Sequence, residues 1–131
     1  MDARRLIPMI LAAAVSAAPC AALPDTAHDR TELFAVCTGR LSATMEHQWL
    51  MSDPKADETE AMRAYFVSLL TASMEDSGMD PREVLNLRIE AKMAHARLLT
   101  RASFARDARD ARTAQRMAAQ YVAACRSLLL S

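Results

Sequence analysis

Imidazole and thioether groups are the side chains in this 131-residue chain best suited to holding copper or a haem. Three histidines and nine methionines carry them. His47 has Met51 four residues on, which puts the two on one side of a helix. His95 stands beside Ala91 and Leu98 in an apolar sector. His47, Met51 and His95 are therefore the metal-ligand candidates, while His28 sits close to the predicted start of the mature chain. No His-x₃-His pair, Glu-x-x-His repeat or methionine cluster accompanies them, and the haem-attachment pattern Cys-x-x-Cys-His is absent. Methionine at helical spacing ordinarily fills a core, and a single histidine on an apolar face ordinarily bonds a neighbour. The expectation is a chain without a resident metal, haem or other cofactor.

Hydrolytic chemistry needs a nucleophile, a base and an oxyanion site held together. Ser68, Thr71 and Ser73 have no histidine at a compatible local spacing, and no Gly-x-Ser-x-Gly elbow occurs. Only two glycines are present, too few for a phosphate-cradling loop. Carboxylates cluster at Asp57, Glu58 and Glu60 and at Glu75 and Asp76, the first group where acidic residues complement a helix N-terminus. The chain reads as a non-enzyme.

Charge is balanced in total and divided along the chain. Sixteen Lys+Arg face sixteen Asp+Glu, which excludes a nucleic-acid-binding tail and a disordered polyelectrolyte. Residues 23–81 hold 11 acidic and 4 basic residues, whereas residues 82–131 hold 4 acidic and 10 basic. Attraction between the two halves within one fold accounts for most of this division. Arg101, Arg106, Arg109 and Arg112 form the densest basic run, interrupted by Asp107 and Asp110, with Arg106 and Asp110 at the spacing of a helical ion pair. Gly39 falls opposite the apolar stripe of its helix, and Trp49, the only tryptophan, falls at the edge of that stripe. Gly39, Trp49 and the four arginines form the expected contact surface, suited to an acidic protein partner or to anionic lipid heads.

The N-terminus supplies a compartment. Arg4 and Arg5 precede an uncharged run from Leu6 to Ala18, and small residues follow, with Cys20 and Ala22 at the −3 and −1 positions of a cleavage site. Residues 1–22 therefore read as a secretory signal peptide cleaved after Ala22, with the mature protein in the periplasm. The run is shorter than the ~20 apolar residues of a membrane span, and Pro19 before Cys20 is a poor match to a lipid-attachment site. Cleavage removes Cys20 and leaves Cys37 and Cys125, an even pair in an oxidising compartment and hence a predicted disulfide.

Four stretches with helical periodicity follow a flexible segment over 23–30, making one domain over 31–131. Leu33, Cys37, Leu41, Met45 and Trp49 recur every four residues in a helix capped at Asp29 or Thr31. Met62, Tyr65, Phe66, Leu69, Leu70 and Ser73 mark a second, starting at Pro54 or near Asp57 and closed by Gly78. Asp80-Pro81 opens a third, whose face includes Val84, Leu87, Ala91, Ala94, Leu98 and Ala102. Ala114, Met117, Ala118, Tyr121, Ala124, Cys125, Leu128 and Leu129 form the last stripe. No Gly or Pro interrupts residues 82–131, so the third turn is placed at 101–108 from helix length, with Ser103 or Asp107 as the cap. The predicted fold is an all-α, up-down-up-down four-helix bundle, because that topology puts Cys37 and Cys125 at the same end.

Two functional classes remain open. The first is an exported accessory or interaction protein of a cell-envelope assembly. The second is a periplasmic carrier of a small ligand, metal or haem, using His47, His95 and methionines. A small enzyme ranks third, without a constellation to support it.

Overall fold

Thr26 starts the first helix, its hydroxyl accepting from the Asp29 amide at 3.0 Å, one of the first-turn donors a helix cannot pair internally. In the computed structural model, which describes residues 22–130, this helix, α1, spans Ala27–Leu50. The expected signal segment, apart from Ala22, lies outside the described residues. α1 begins earlier than a cap at Asp29 or Thr31 would allow, and His28 lies in its first turn. Ser52, at φ 55°, turns the chain out of α1, and the Asp53 amide donates back to the Gln48 carbonyl at 2.8 Å.

The remaining helices obey their local signals. α2 covers Ala56–Ser77, between its two expected starts, and ends at Gly78, whose φ of 69° suits a residue without Cβ. α3 covers Pro81–Phe104, with the Asp80 carboxylate accepting from the Arg82 amide at 2.7 Å. α4 covers Ala108–Ser127, and Asp107 caps it by accepting from the amides of Arg109 and Asp110 at 2.8 and 2.9 Å. Of the two caps expected for this helix, Asp107 is the one used. The turn at 105–107 falls inside the expected interval. Among the described residues there are four helices and no strand.

α1 is the central element, packing against both α2 and α3, while α3 also packs against α4. Phe34 and Phe66 meet at 6.1 Å between ring centroids, and with Cys37, Leu41, Leu70, Met79 and Val84 they form the buried core. The Thr31 hydroxyl donates to Ser73 Oγ at 2.8 Å, and Arg63 Nε donates to Ser42 Oγ at 2.8 Å, linking α1 to α2. Cys37 and Cys125 are joined in a disulfide, their Cα atoms 5.6 Å apart and 88 positions apart in sequence. Closing a loop of that size stabilises the fold by about 4 kcal/mol in the chain-entropy account.

Several expectations about faces need correction, among them Trp49 of the α1 stripe and Met117, Tyr121 and Ala124 of the α4 stripe, all of which are exposed. Gly39 lies on no outer surface: it is buried, and a Cβ placed on it would stand 2.9 Å from the Lys92 backbone nitrogen and would overlap the Arg88 carbonyl. The chain that approaches this glycine is α3 of the same molecule, because α1 is covered on more than one side. Tyr65, expected in the α2 stripe, is 55% exposed. α2 packs chiefly on α1 and buries only the narrow face that includes Phe66 and Leu70.

Candidate functional site

α4 presents alanines where the other helices present larger groups. Ala118, Ala119 and Ala123 from α4, with Leu99 and Ala102 from α3, wall a cleft of about 410 Å³ whose opposite side is the second half of α1. Its volume lies in the range of small-molecule sites. Thr44, His47 and Gln48 line it from α1, and Asp53, Lys55 and Arg126 contribute charged groups. Arg126 donates to Glu58 at 3.1 Å across the end of α4.

His95 lines this cleft from α3 and also borders a smaller cavity with Arg40, Leu98 and Tyr121. The residue is 2% exposed, and neither ring nitrogen has a hydrogen-bond partner within the protein. Gln48 Oε1 is likewise buried and unpartnered. An unsatisfied buried polar group costs about 1–3 kcal/mol, and native folds hold few of them. Burial, and secondarily the nearby positive charge of Arg40, lowers the His95 pKa to about 4. The ring is therefore neutral near pH 7, offering one N–H donor and one lone-pair acceptor. Tyr121 packs against it at 6.3 Å between centroids, with the Arg40 guanidinium 4.3 Å from the tyrosine ring centre. Burial lowers the Arg40 pKa as well, opposed in part by Tyr121.

His47 and His95 thus line one cleft, although they lie 48 positions apart in sequence. Met51, the third candidate metal ligand, is half-exposed at the end of α1 and is not part of the lining. His47 Nε2 is engaged with Ser103 Oγ at 2.9 Å, and its ring meets Phe104 edge-on. A histidine–serine contact resembles a nucleophile with its base, but among the described residues no carboxylate hydrogen-bonds this imidazole to orient it. Three His/Asp/Glu donors come within 4.8 Å of one another at His28, Asp29 and Glu32, all exposed on the first turns of α1, an arrangement without burial or further ligands to mark it as a site.

A second feature lies where the α1–α2 and α3–α4 connections meet, brought together by the His47–Ser103 and His47–Phe104 contacts. Trp49 is 51%, Leu50 70% and Phe104 58% exposed there, and Met51 is half-exposed. The exposed Arg101, Arg106, Arg109 and Arg112 follow from the end of α3 into α4. Arg101 bonds Asp110 across the turn, and this bond raises the arginine's pKa and lowers that of the aspartate. The i, i+4 pair expected between Arg106 and Asp110 does not form, because Arg106 belongs to the connection and not to α4.

Gln48, Leu99, Ala119 and Ala123 are cleft residues that the sequence reading missed. The available signal was the run Met117-Ala118-Ala119-Gln120-Tyr121-Val122-Ala123-Ala124, whose small side chains leave room beside any helix they face. No protein-family model matches this chain, and no similar chain is found among the curated proteins or the solved structures compared with it.

Proposed function

We propose that this chain is an exported, non-enzymatic accessory protein of a cell-envelope assembly, and that it docks an acidic protein partner through the end carrying Trp49, Leu50, Met51 and Phe104. The observation that carries this reading is the group of large apolar side chains, each half or more exposed, at the junction of the two helix connections. Exposed apolar groups gathered in one place mark interaction surfaces, and tryptophan and arginine are favoured anchors in them. The basic run beside them favours an acidic partner over a neutral one.

Residues 1–22 and the Cys37–Cys125 disulfide support export, and the periplasm is the compartment proposed for the mature chain. No helix among the described residues is long and apolar enough to cross a membrane. An up-down-up-down order is the proposed topology. It is supported between α1 and α2, where Thr31 meets Ser73 and Ser42 meets Arg63, positions that run in opposite directions along the two helices.

The test is site-specific photocrosslinking in intact cells of the source. A photoreactive residue at Leu50 is expected to give one product of defined mass, while the same residue at Tyr65 gives none. The Leu50 product should disappear when Arg106 and Arg109 are both changed to Glu. Equal labelling from the two positions, or no product from Leu50, overturns the docking reading.

A further inference from the structure

We infer that the cleft beside His95 is a binding site for a small uncharged molecule with an apolar body and a head group that both donates and accepts a hydrogen bond, of the phenol or alcohol class. This inference is independent of the docking surface proposed above. Its first support is the lining. Alanines 102, 118, 119 and 123 with Leu99 and Val122 provide walls for an apolar body, in a volume of about 410 Å³.

The second support is what those walls hide. His95 is almost wholly buried, and both its ring nitrogens lack partners; Gln48 Oε1, from the opposite helix, is in the same condition. Buried polar atoms in a folded protein normally find partners within the chain, in ordered water or in a ligand. A neutral imidazole offers one donor and one acceptor, and the glutamine oxygen is an acceptor. A hydroxyl head meets both requirements, giving its proton to one acceptor while taking the imidazole N–H on its lone pair.

The charge of the head group follows from the same residues. An anionic head has no proton to give Gln48 Oε1, and a cationic head would enter a lining in which the cations Lys55 and Arg126 outnumber the one carboxylate, Asp53. Metal ions are disfavoured by the donor set: His47 Nε2 is engaged with Ser103, and Met51 stands outside the lining. Water alone could satisfy the polar atoms but would leave the apolar walls wetted, which makes displacement by an apolar body favourable.

The experiment uses the disulfide-bonded mature protein, with phenol, toluene and benzoate as probes and the His95 ring ¹⁵N resonances as the readout. Phenol is expected to bind saturably and to move those resonances. Toluene, which lacks the head group, and benzoate, which is charged, should each bind at least about tenfold more weakly. Ala123→Leu, which enlarges an exposed side chain of the lining, should weaken the phenol response while the protein stays folded. His95→Gln, which retains a donor and an acceptor, should keep part of the affinity, followed in that variant by the Gln48 side-chain ¹⁵N resonance. A His95 spectrum unmoved by phenol up to about 10 mM overturns the site, because binding weaker than that is below any specific affinity. Benzoate binding more tightly than phenol, or phenol binding unaffected by Ala123→Leu, overturns it equally.

Discussion

Gly39 in α1 lies directly against Ala91 in α3: a Cβ built on the glycine would stand 3.0 Å from the alanine's Cβ and closer still to the Arg88 carbonyl. Ala35, Gly39 and Ala43 recur every four residues and are all buried, so they share one face of α1. Small residues at this spacing let two helix backbones approach more closely than leucine-sized side chains permit. The apolar stripe through Phe34, Cys37 and Leu41 is a separate face, which is how α1 can be the central helix of the fold.

Gly39→Ala therefore sets two effects against each other. Alanine gains about 1 kcal/mol over glycine in a helix interior. Overpacking costs about 1–3 kcal/mol, and the groups met here are backbone atoms, which cannot rotate away. The expected outcome is a net loss of up to about 2 kcal/mol, seen as a fall of up to about 15 °C in melting temperature by circular dichroism. A rise in melting temperature would show that α1 and α3 are not this close.

The disulfide supplies a second expectation. Cys37 and Cys125 are bonded to each other, so the oxidised mature protein should show no reaction with a thiol reagent, and because both are almost fully buried two thiols should appear after reduction in denaturant. The double variant Cys37→Ser, Cys125→Ser should unfold in urea with about 4 kcal/mol less stability than the bonded protein. Because α1 and α4 touch little besides the bridge, the loss should be accompanied by faster amide exchange in α4 than in α1 or α2. Uniform acceleration through all four helices would refute a specific role in holding α4.

At the exposed end, Trp49→Ala and Leu50→Asp should leave stability within about 0.5 kcal/mol of the parent, since neither side chain contributes to the buried core. Both should remove the crosslinked partner product, and partner binding should weaken as salt rises, because the adjacent arginines act through screened charge. A large loss of stability in either variant would mean that these side chains serve the fold.

The four helices were legible because several of their boundaries have a local chemical cause, although Lys55, at the start of α2, provides no side-chain cap. Asp80-Pro81, Asp107 and Gly78 stop or start a helix by hydrogen bonding or dihedral preference alone, without reference to tertiary structure. The Thr26 cap was equally local, but Asp29 and Thr31 are competing capping residues, and only the geometry selects among them. The cysteine pairing followed from counting residues once a cleavage point was assumed. What the periodicity did not carry was the number of faces each helix buries. A stripe every four residues suggests one covered side, yet α1 is covered on several and α2 on one, which is why Gly39 is inside and Tyr65 is outside. The cleft was not legible for a related reason. Its polar floor joins Gln48 and His95 across two helices, and its space comes from alanines that read, in sequence, as ordinary helix formers.

His95 makes the stability of the fold depend on acidity in a defined direction. Its pKa is lowered to about 4 in the folded protein, by burial first and by Arg40 second, against about 6.5 in the unfolded chain. Between these values the unfolded state binds a proton that the folded state does not, so stability falls as the pH falls. The contribution is complete above about pH 6.5 and is lost progressively down to about pH 4, amounting to on the order of 3 kcal/mol. Arg40 from α1 and Tyr121 from α4 are the charged and titratable groups packed against the ring, and Arg40 keeps its charge throughout this interval. Urea unfolding at several pH values should show this slope in the parent protein, and His95→Gln should lack it while keeping the slopes due to the carboxylates. Identical pH profiles for the two proteins would mean that the imidazole gains a partner on protonation, and the ring could then no longer be regarded as the neutral floor of the cleft.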